Sequence, residues 1–179
     1  RGTNHNPKRN GVLNTLNMFH HHVAHLDSFA VGIRVGLKFK RGDLLGYCGK
    51  TGTGSPHCHY EVFIGKPDSY TQYIWGLSKA QVEERYANPY KYVSQSENLP
   101  MAWNSLGYDF LSPNADGAKT GFHPGVDLNW GHGSDDFRFE IRATTDGTVV
   151  YMGENPKDGA WGNHLWWREE NDLAQVYDN

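Results

Sequence analysis

At 179 residues the chain has room for one domain, or one domain with a small appendage, and for a real hydrophobic core. A formal charge of −3 and a pI near 6.4 argue against a generic nucleic-acid binder, and no run approaches the roughly 18 apolar residues of a membrane span. With 21 glycines, 10 tyrosines and 6 tryptophans but few helical patterns, the composition favours a β-rich fold with many turns.

No signal peptide is visible, and the first residue is Arg1, so a processed or truncated start is expected. Residues 1–17 are polar, rich in Asn and Gly, and read as a loop or hairpin tip. Residues 18–26 (MFHHHVAHL) have strand character and carry His20, His21, His22 and His25. Short strands are expected around 29–33 and 35–39, then a turn at Lys40-Arg41-Gly42-Asp43 and a strand over 44–48. The Gly-rich loop 49–54 (GKTGTG) leads into a strand over 57–63. A phosphate loop needs a following helix whose N-terminus faces the anion, and a Lys beside Ser or Thr at its end. A β-pattern follows here, so the loop reads as a flexible turn beside a cleft. Residues 78–87 (SKAQVEERYA) predict the one clear helix, with Ser78 as its cap, Gln81 three residues on, and Asn88-Pro89 as its stop. Residues 90–106 form a polar and aromatic connector on the surface, and 108–120 are a Gly/Pro/Asn-rich approach to His123. A polar loop over 129–136 follows, then strands over 137–143 and 147–152 around the turn Thr145-Asp146-Gly147. A turn-rich segment, a strand over 164–168 (HLWWR) and a polar end over 169–179 complete the chain, and no internal repeat is evident. Cys48 and Cys58 could pair across neighbouring strands or stay as two buried thiols.

The stretch Ser55-Pro56-His57-Cys58-His59-Tyr60-Glu61-Val62-Phe63 carries the chemistry. Alternate side chains of a strand share a face, so His57, His59 and Glu61 point one way and Cys58, Tyr60 and Val62 the other. Two imidazoles about 7 Å apart on one rigid face are well placed to share a metal ion and its bound water. His123-Pro124-Gly125-Val126-Asp127 offers a further His and a carboxylate, and together the two stretches make a candidate zinc site.

These residues resemble the lysostaphin/LytM-type zinc metallopeptidases, which cut peptidoglycan peptides. Phe122-His123-Pro124-Gly125-Val126-Asp127-Leu128 looks like the family's His-x-Gly-x-Asp-type metal motif, and residues 143–150 (ATTDGTVV) like the hairpin that follows it. Gly162-Asn163, Val23-Ala24-His25-Leu26, Gly42-Asp43 with Leu45-Gly46, Gly49-Lys50-Thr51-Gly52 and Pro56-His57-Cys58-His59-Tyr60-Glu61-Val62 match its other motifs. The matches cover most of the chain outside 65–107 and are consistent in order only when read cyclically. The family's second half occupies 18–64 and its first half 108–168, joined by a connector over 65–107. The chain therefore looks like a circular permutant, one metallopeptidase domain over 1–179, with new termini opened at a polar hairpin tip. The rival arrangement is two half-domains from adjacent copies completed by swapping between chains.

The resemblance implies a mainly β fold: an antiparallel β-sheet with a groove, one short helix, and Zn2+ at the groove floor. It implies His59, His123 and Asp127 as metal ligands, with His25 and His57 lining the cleft to orient or deprotonate a water and stabilise an oxyanion. Glu61 continues the histidine face, either as an acceptor that fixes an imidazole tautomer or as an ordinary half-exposed strand residue. His21 shares a predicted strand face with His25 and is its rival. His20 and His22 are expected on the surface. His5, His132 and His164 read as structural or surface residues, with His132 an outside candidate for lining the cleft. Trp130, Trp161, Trp166 and Trp167 could line a groove, with at least half expected in the core. The implied activity is a zinc metalloendopeptidase cutting bacterial peptidoglycan stems or cross-bridges, outside the cytoplasm at the cell wall, as a monomer and without nucleic acid. A catalytically inactive wall-binding relative, and a phage tail component carrying this domain, are the alternative readings.

Overall fold

The computed structural model describes residues 18–71, 76–113, 121–154 and 161–170. Among them ten strands join one antiparallel sheet: β1 (Phe19–Phe29), β2 (Lys38–Phe39), β3 (Leu44–Cys48), β4 (Cys58–Ile64), β5 (Tyr86–Ala87), β6 (Ser105–Leu106), β7 (Gly125–Asn129), β8 (Glu140–Arg142), β9 (Gly147–Gly153) and β10 (Asn163–Glu169). The main path runs β2-β9-β10-β1-β4-β7-β6, while β3 bridges β1 and β8, and β5 adds to β4. The mainly β architecture implied by composition and by the resemblance is present, with one short helix, α1 (Lys79–Arg85).

Period-two alternation in β4 decides what goes where. Cys58, Tyr60 and Val62 fall on one face and are at most 1 % exposed, packed with Val23, Leu165 and Trp167 in the main core. Burying a side chain of this size contributes about 1.5–3 kcal/mol, which pins the register, because a one-residue slip would send all three to the other face. His59 and Glu61 lie on the opposite face and are also buried, so the centre of the sheet is covered on both sides.

The helix forms where its start and stop signals lie. Ser78 accepts from the Gln81 N–H and Gln81 Oε1 accepts from the Ser78 N–H, a complete capping box. Asn88 then caps a 3-10 turn over Pro89–Lys91.

Four strand expectations are corrected. The first strand continues to Phe29 rather than stopping at 26. No separate strand forms over 29–33, and the one expected over 35–39 shrinks to β2, because Gly32 and Gly36 adopt φ of 87° and 85° and turn the chain. The strand expected over 137–143 reduces to β8, the residues before it forming turns. Cys48 and Cys58 are free buried thiols. The expected loop over 1–17 and most of the polar end lie outside the described residues.

Residues 18–64 interleave with 121–154 and 161–170 rather than packing as two units. β1 pairs with β10 in the register His20↔Arg168 and with β4 in the register His22↔Glu61, and β4 pairs with β7 in the register His59↔Asp127. The connector supplies α1, β5, the 3-10 turn and β6.

Candidate metal centre

The β4–β7 pairing places His59 directly opposite Asp127, and His123 enters from the residues just before β7. Close approach of the two strands needs a glycine at 125: a Cβ there would stand 2.5 Å from the Tyr60 carbonyl oxygen and 3.1 Å from His59 Cε1. The three candidate donor atoms then converge. His59 Nδ1 is 2.9 Å from Asp127 Oδ1, His123 Nε2 is 3.2 Å from His59 Nδ1, and His123 Nε2 is 3.4 Å from Asp127 Oδ1. Donors at Zn–N and Zn–O distances of about 2.0–2.1 Å in a tetrahedron stand roughly 3.3 Å apart. The two imidazoles and one carboxylate therefore fit the spacing and the N/O donor chemistry of a zinc centre.

Acceptor-only partners fix which nitrogen carries the proton. His123 Nδ1–H donates to the Asp109 carbonyl at 3.2 Å, His25 Nδ1–H to the Thr51 carbonyl at 2.9 Å and His57 Nδ1–H to the Ser55 carbonyl at 3.1 Å. In each neutral ring Nε2 is then the lone-pair nitrogen. His59 is held the other way round: its Nε2–H donates to Glu61 Oε2 at 3.2 Å, leaving Nδ1 for the centre. A metal-binding histidine that donates its second nitrogen to a carbonyl or carboxylate is the usual arrangement.

The charges are unbalanced without a cation. Asp127 and Glu61 are 3 % and 1 % exposed, and their ion-pair partners among the described residues are all histidines. Burial works against a charged His59, but hydrogen bonds to Asp127 and Glu61 outweigh it and push its pKa up to about 10. Burial likewise disfavours both carboxylates. The adjoining His123 and His59 rings nevertheless hold Asp127 well below the usual carboxylate range, and hydrogen bonds from His22 and His59 hold Glu61 at about 2. Two carboxylates facing one imidazolium leave a buried net charge of −1. A divalent ion that displaces the His59 proton would bring the set to neutrality.

His57 is 12 % exposed at its side chain, with Nε2 3.9 Å from Asp127 Oδ1. The His25 ring lies beside it, centroids 4.6 Å apart. His25 takes a φ of 65°, at a bulge between Val23 and Leu26 where the pairing register shifts. Burial, and then the neighbouring His57 and His59, push its pKa down to about 3. The Gly-rich loop has a structural task in this: besides the Thr51 carbonyl on His25, Thr51 Oγ1 donates to the Leu26 carbonyl and accepts from the Asn163 N–H.

The sequence-predicted residues His25, His57, His59, His123 and Asp127 are thus brought together. Other assignments are corrected. His21 does not rival His25: the bulge inverts the alternation, and His21 faces the core, stacked on Trp167 at 5.0 Å and 2.8 Å from Tyr60 Oη. His20 and His22 are buried rather than on the surface, because β1 is a central strand. Glu61 is no half-exposed strand residue, and its second oxygen accepts from His22 Nδ1 at 3.1 Å. His164 is buried, with Nδ1 2.9 Å from His22 Nε2. His132 is exposed, and His5 lies outside the described residues. Trp130 is 41 % exposed, whereas Trp161, Trp166 and Trp167 are buried, with Trp161 against the His59 ring at 4.9 Å. A recess of about 60 Å3 lies beside the centre, lined in part by Glu61, Arg85, Pro124, Trp161 and Trp166. His22 and His164 were the residues sequence reading missed. The only signal was the run of histidines in β1, whose pairing with β10 is non-local. Comparison with known protein families, curated proteins and solved structures finds no match to this chain.

Proposed function

We propose that the chain is a zinc-dependent endopeptidase that hydrolyses peptide bonds in the stems or cross-bridges of bacterial peptidoglycan, acting at the cell wall outside the cytoplasm. The observation that carries the metal reading is the triangle of His59 Nδ1, His123 Nε2 and Asp127 Oδ1, with sides of 2.9–3.4 Å. The choice of peptidoglycan rests on the motif resemblance alone. Zinc, when bound, supplies a water with a pKa near neutrality and a Lewis acid for the scissile carbonyl.

The chain's own residues handle the protons. His57, with its proton on Nδ1 at the Ser55 carbonyl, offers Nε2 as acceptor for the proton of the attacking water and can return it to the leaving amine. His25, held neutral at about 3 by burial, is suited to orient that water by accepting a hydrogen bond at Nε2 rather than to carry the charge. Trp161 covers one side of His59 and keeps bulk water from it. All three ligands come from one chain, so the active form is read as a monomer. The circularly permuted order is supported by the antiparallel pairing of the start of β1 with the end of β10, where the uncut relative would have a hairpin.

The test is digestion of purified peptidoglycan by the zinc-loaded protein, with and without a chelator, followed by mass analysis of the products. New peptide ends that vanish on chelation and return with zinc are expected. Absence of chelator-sensitive peptide cleavage by protein shown to contain zinc would remove the enzyme reading.

A further inference from the structure

Beyond the ligands, a line of buried groups leads away from His59 across three strands. His59 Nε2 is 3.2 Å from Glu61 Oε2, Glu61 Oε1 is 3.1 Å from His22 Nδ1, and His22 Nε2 is 2.9 Å from His164 Nδ1. Glu61, His22 and His164 are at most 1 % exposed, so water does not compete for these bonds. The His22 ring is clamped in its plane, stacked on Trp166 at 4.1 Å and 5° and met edge-on by Trp161 at 4.6 Å and 87°.

The chemistry of the groups sets the direction of every bond. A carboxylate only accepts, so both His59 and His22 donate to Glu61. His22 has then used its proton on Nδ1, and its neutral ring presents a lone pair at Nε2. His164 Nδ1–H is therefore the donor in the last bond. We infer that His164 and His22, as successive N–H donors, anchor Glu61 and form with it a relay that holds His59 as the Nε2–H tautomer, with its Nδ1 lone pair presented to the metal. The inference rests on the metal reading above and adds three positioning residues to it. None of them touches the ion. They act through the tautomer and orientation of His59: the bonds His164→His22→Glu61 run in one direction and reinforce one another, and they fix the carboxylate that accepts from His59.

The same atoms could be read as a second metal site, since His22, His59 and Glu61 offer three donors within 4.8 Å of one another. Filled together with the first, that site would strip His59 of both its protons and require an anionic imidazole ring. The relay needs no such species.

Glu61→Gln tests the relay directly. The amide presents one acceptor and one NH2, so one of the two facing N–H groups must give way. Either His59 moves its proton to Nδ1, or His22 turns its proton on His164. Zinc affinity, measured by competition with a chromogenic chelator, is expected to fall roughly 10–100-fold in Glu61→Gln, while the melting curve of the metal-free protein shows the variant folded. Equal affinity in variant and wild type overturns the relay and leaves the metal reading intact. A wild-type chain with no zinc affinity defeats both. Two zinc ions per wild-type chain overturn the relay in favour of the second site. Should Glu61→Gln fail to fold, side-chain 15N spectra of the zinc-loaded wild type decide. His164 and His22 are expected to be protonated at Nδ1 only and His59 at Nε2 only. A proton on His22 Nε2 or on His59 Nδ1 overturns the relay.

Discussion

Zinc binding to this chain should be strongly pH-dependent, because one ligand has to give up a proton that it holds tightly. In the metal-free protein His59 is an imidazolium between Asp127 and Glu61, with a pKa pushed up to about 10. At pH 7 it is three units below that value, so only about one molecule in a thousand has the Nδ1 lone pair available, a penalty of roughly 4 kcal/mol on the apparent affinity. Affinity should climb about tenfold per pH unit from 7 to 9 and level off above 10. Calorimetry in two buffers of different ionisation heat counts the released protons. At pH 6, about a unit below the range in which a zinc-bound water ionises, about one proton per zinc is expected. A flat affinity between pH 7 and 9, or no proton released at pH 6, would refute the placement of His59 as a charged hub. The metal-free protein should show the same groups in its stability. His59 is raised from 6.5, so its contribution is complete below about pH 6.5 and is lost as the pH rises through about 10. Glu61 is lowered from 4.5 to about 2, so its contribution is complete above about pH 4.5 and is lost on acidification toward 2. Urea midpoints of chelated protein should peak between those limits.

Gly125→Ala puts a methyl 2.5 Å from the Tyr60 carbonyl and must push β7 off β4. A loss of about 1–3 kcal/mol in stability, with weaker zinc binding, is expected from chemical denaturation and metal competition. An unchanged midpoint would show that the strands have room to spare. Cys48 and Cys58 are 1 % exposed and both thiols are pushed up by burial, so a thiol reagent should label neither until the protein is unfolded. Rapid labelling of the native protein would contradict their place in the core. Joining Asn179 to Arg1 and opening the chain in the exposed turn over 95–98 changes no strand pairing around the centre. That rearranged protein should fold and bind zinc with unchanged affinity, and failure to fold would show that the order of segments matters.

The parts of this structure that local chemistry dictates were legible in the sequence. The capping box of Ser78 and Gln81 fixed a helix start, and the alternation Cys58, Tyr60, Val62 against His59, Glu61 separated core from site. That His59, His123 and Asp127 lie together was anticipated through motif order, which no single spacing would have supported. What failed was set by neighbours in space. That β1 is central, with β10 on one side and β4 on the other, is not written in MFHHHVAHL, and it turns His20 and His22 from expected surface residues into buried ones. The bulge after Val23 carries no local signature either. It turns His25 into the site with a positive φ and leaves His21 in the core, reversing what strict alternation predicts.

The links that close the centre span long stretches of chain. His59 and His123 are 64 residues apart, His59 and Asp127 68, and His22 and His164 142. No segment that lacks β4 or residues 123–127 holds all three ligands, and no segment that lacks β10 completes the line behind His59. A partly formed sheet that lacks either β4 or β7 therefore offers an ion at most two of the three donors, whereas the complete sheet offers three converging donors and a neutralised charge. Zinc should discriminate sharply between the folded chain and everything less than folded. An ion present at a hundred times its dissociation constant would add about 2.7 kcal/mol to the stability of the whole sheet rather than of one strand. The chemistry proposed for the site and the cooperativity of the fold then share one cause: the pairing of β4 with β7, which Gly125 permits, and of β1 with β10, which brings His22 to His164.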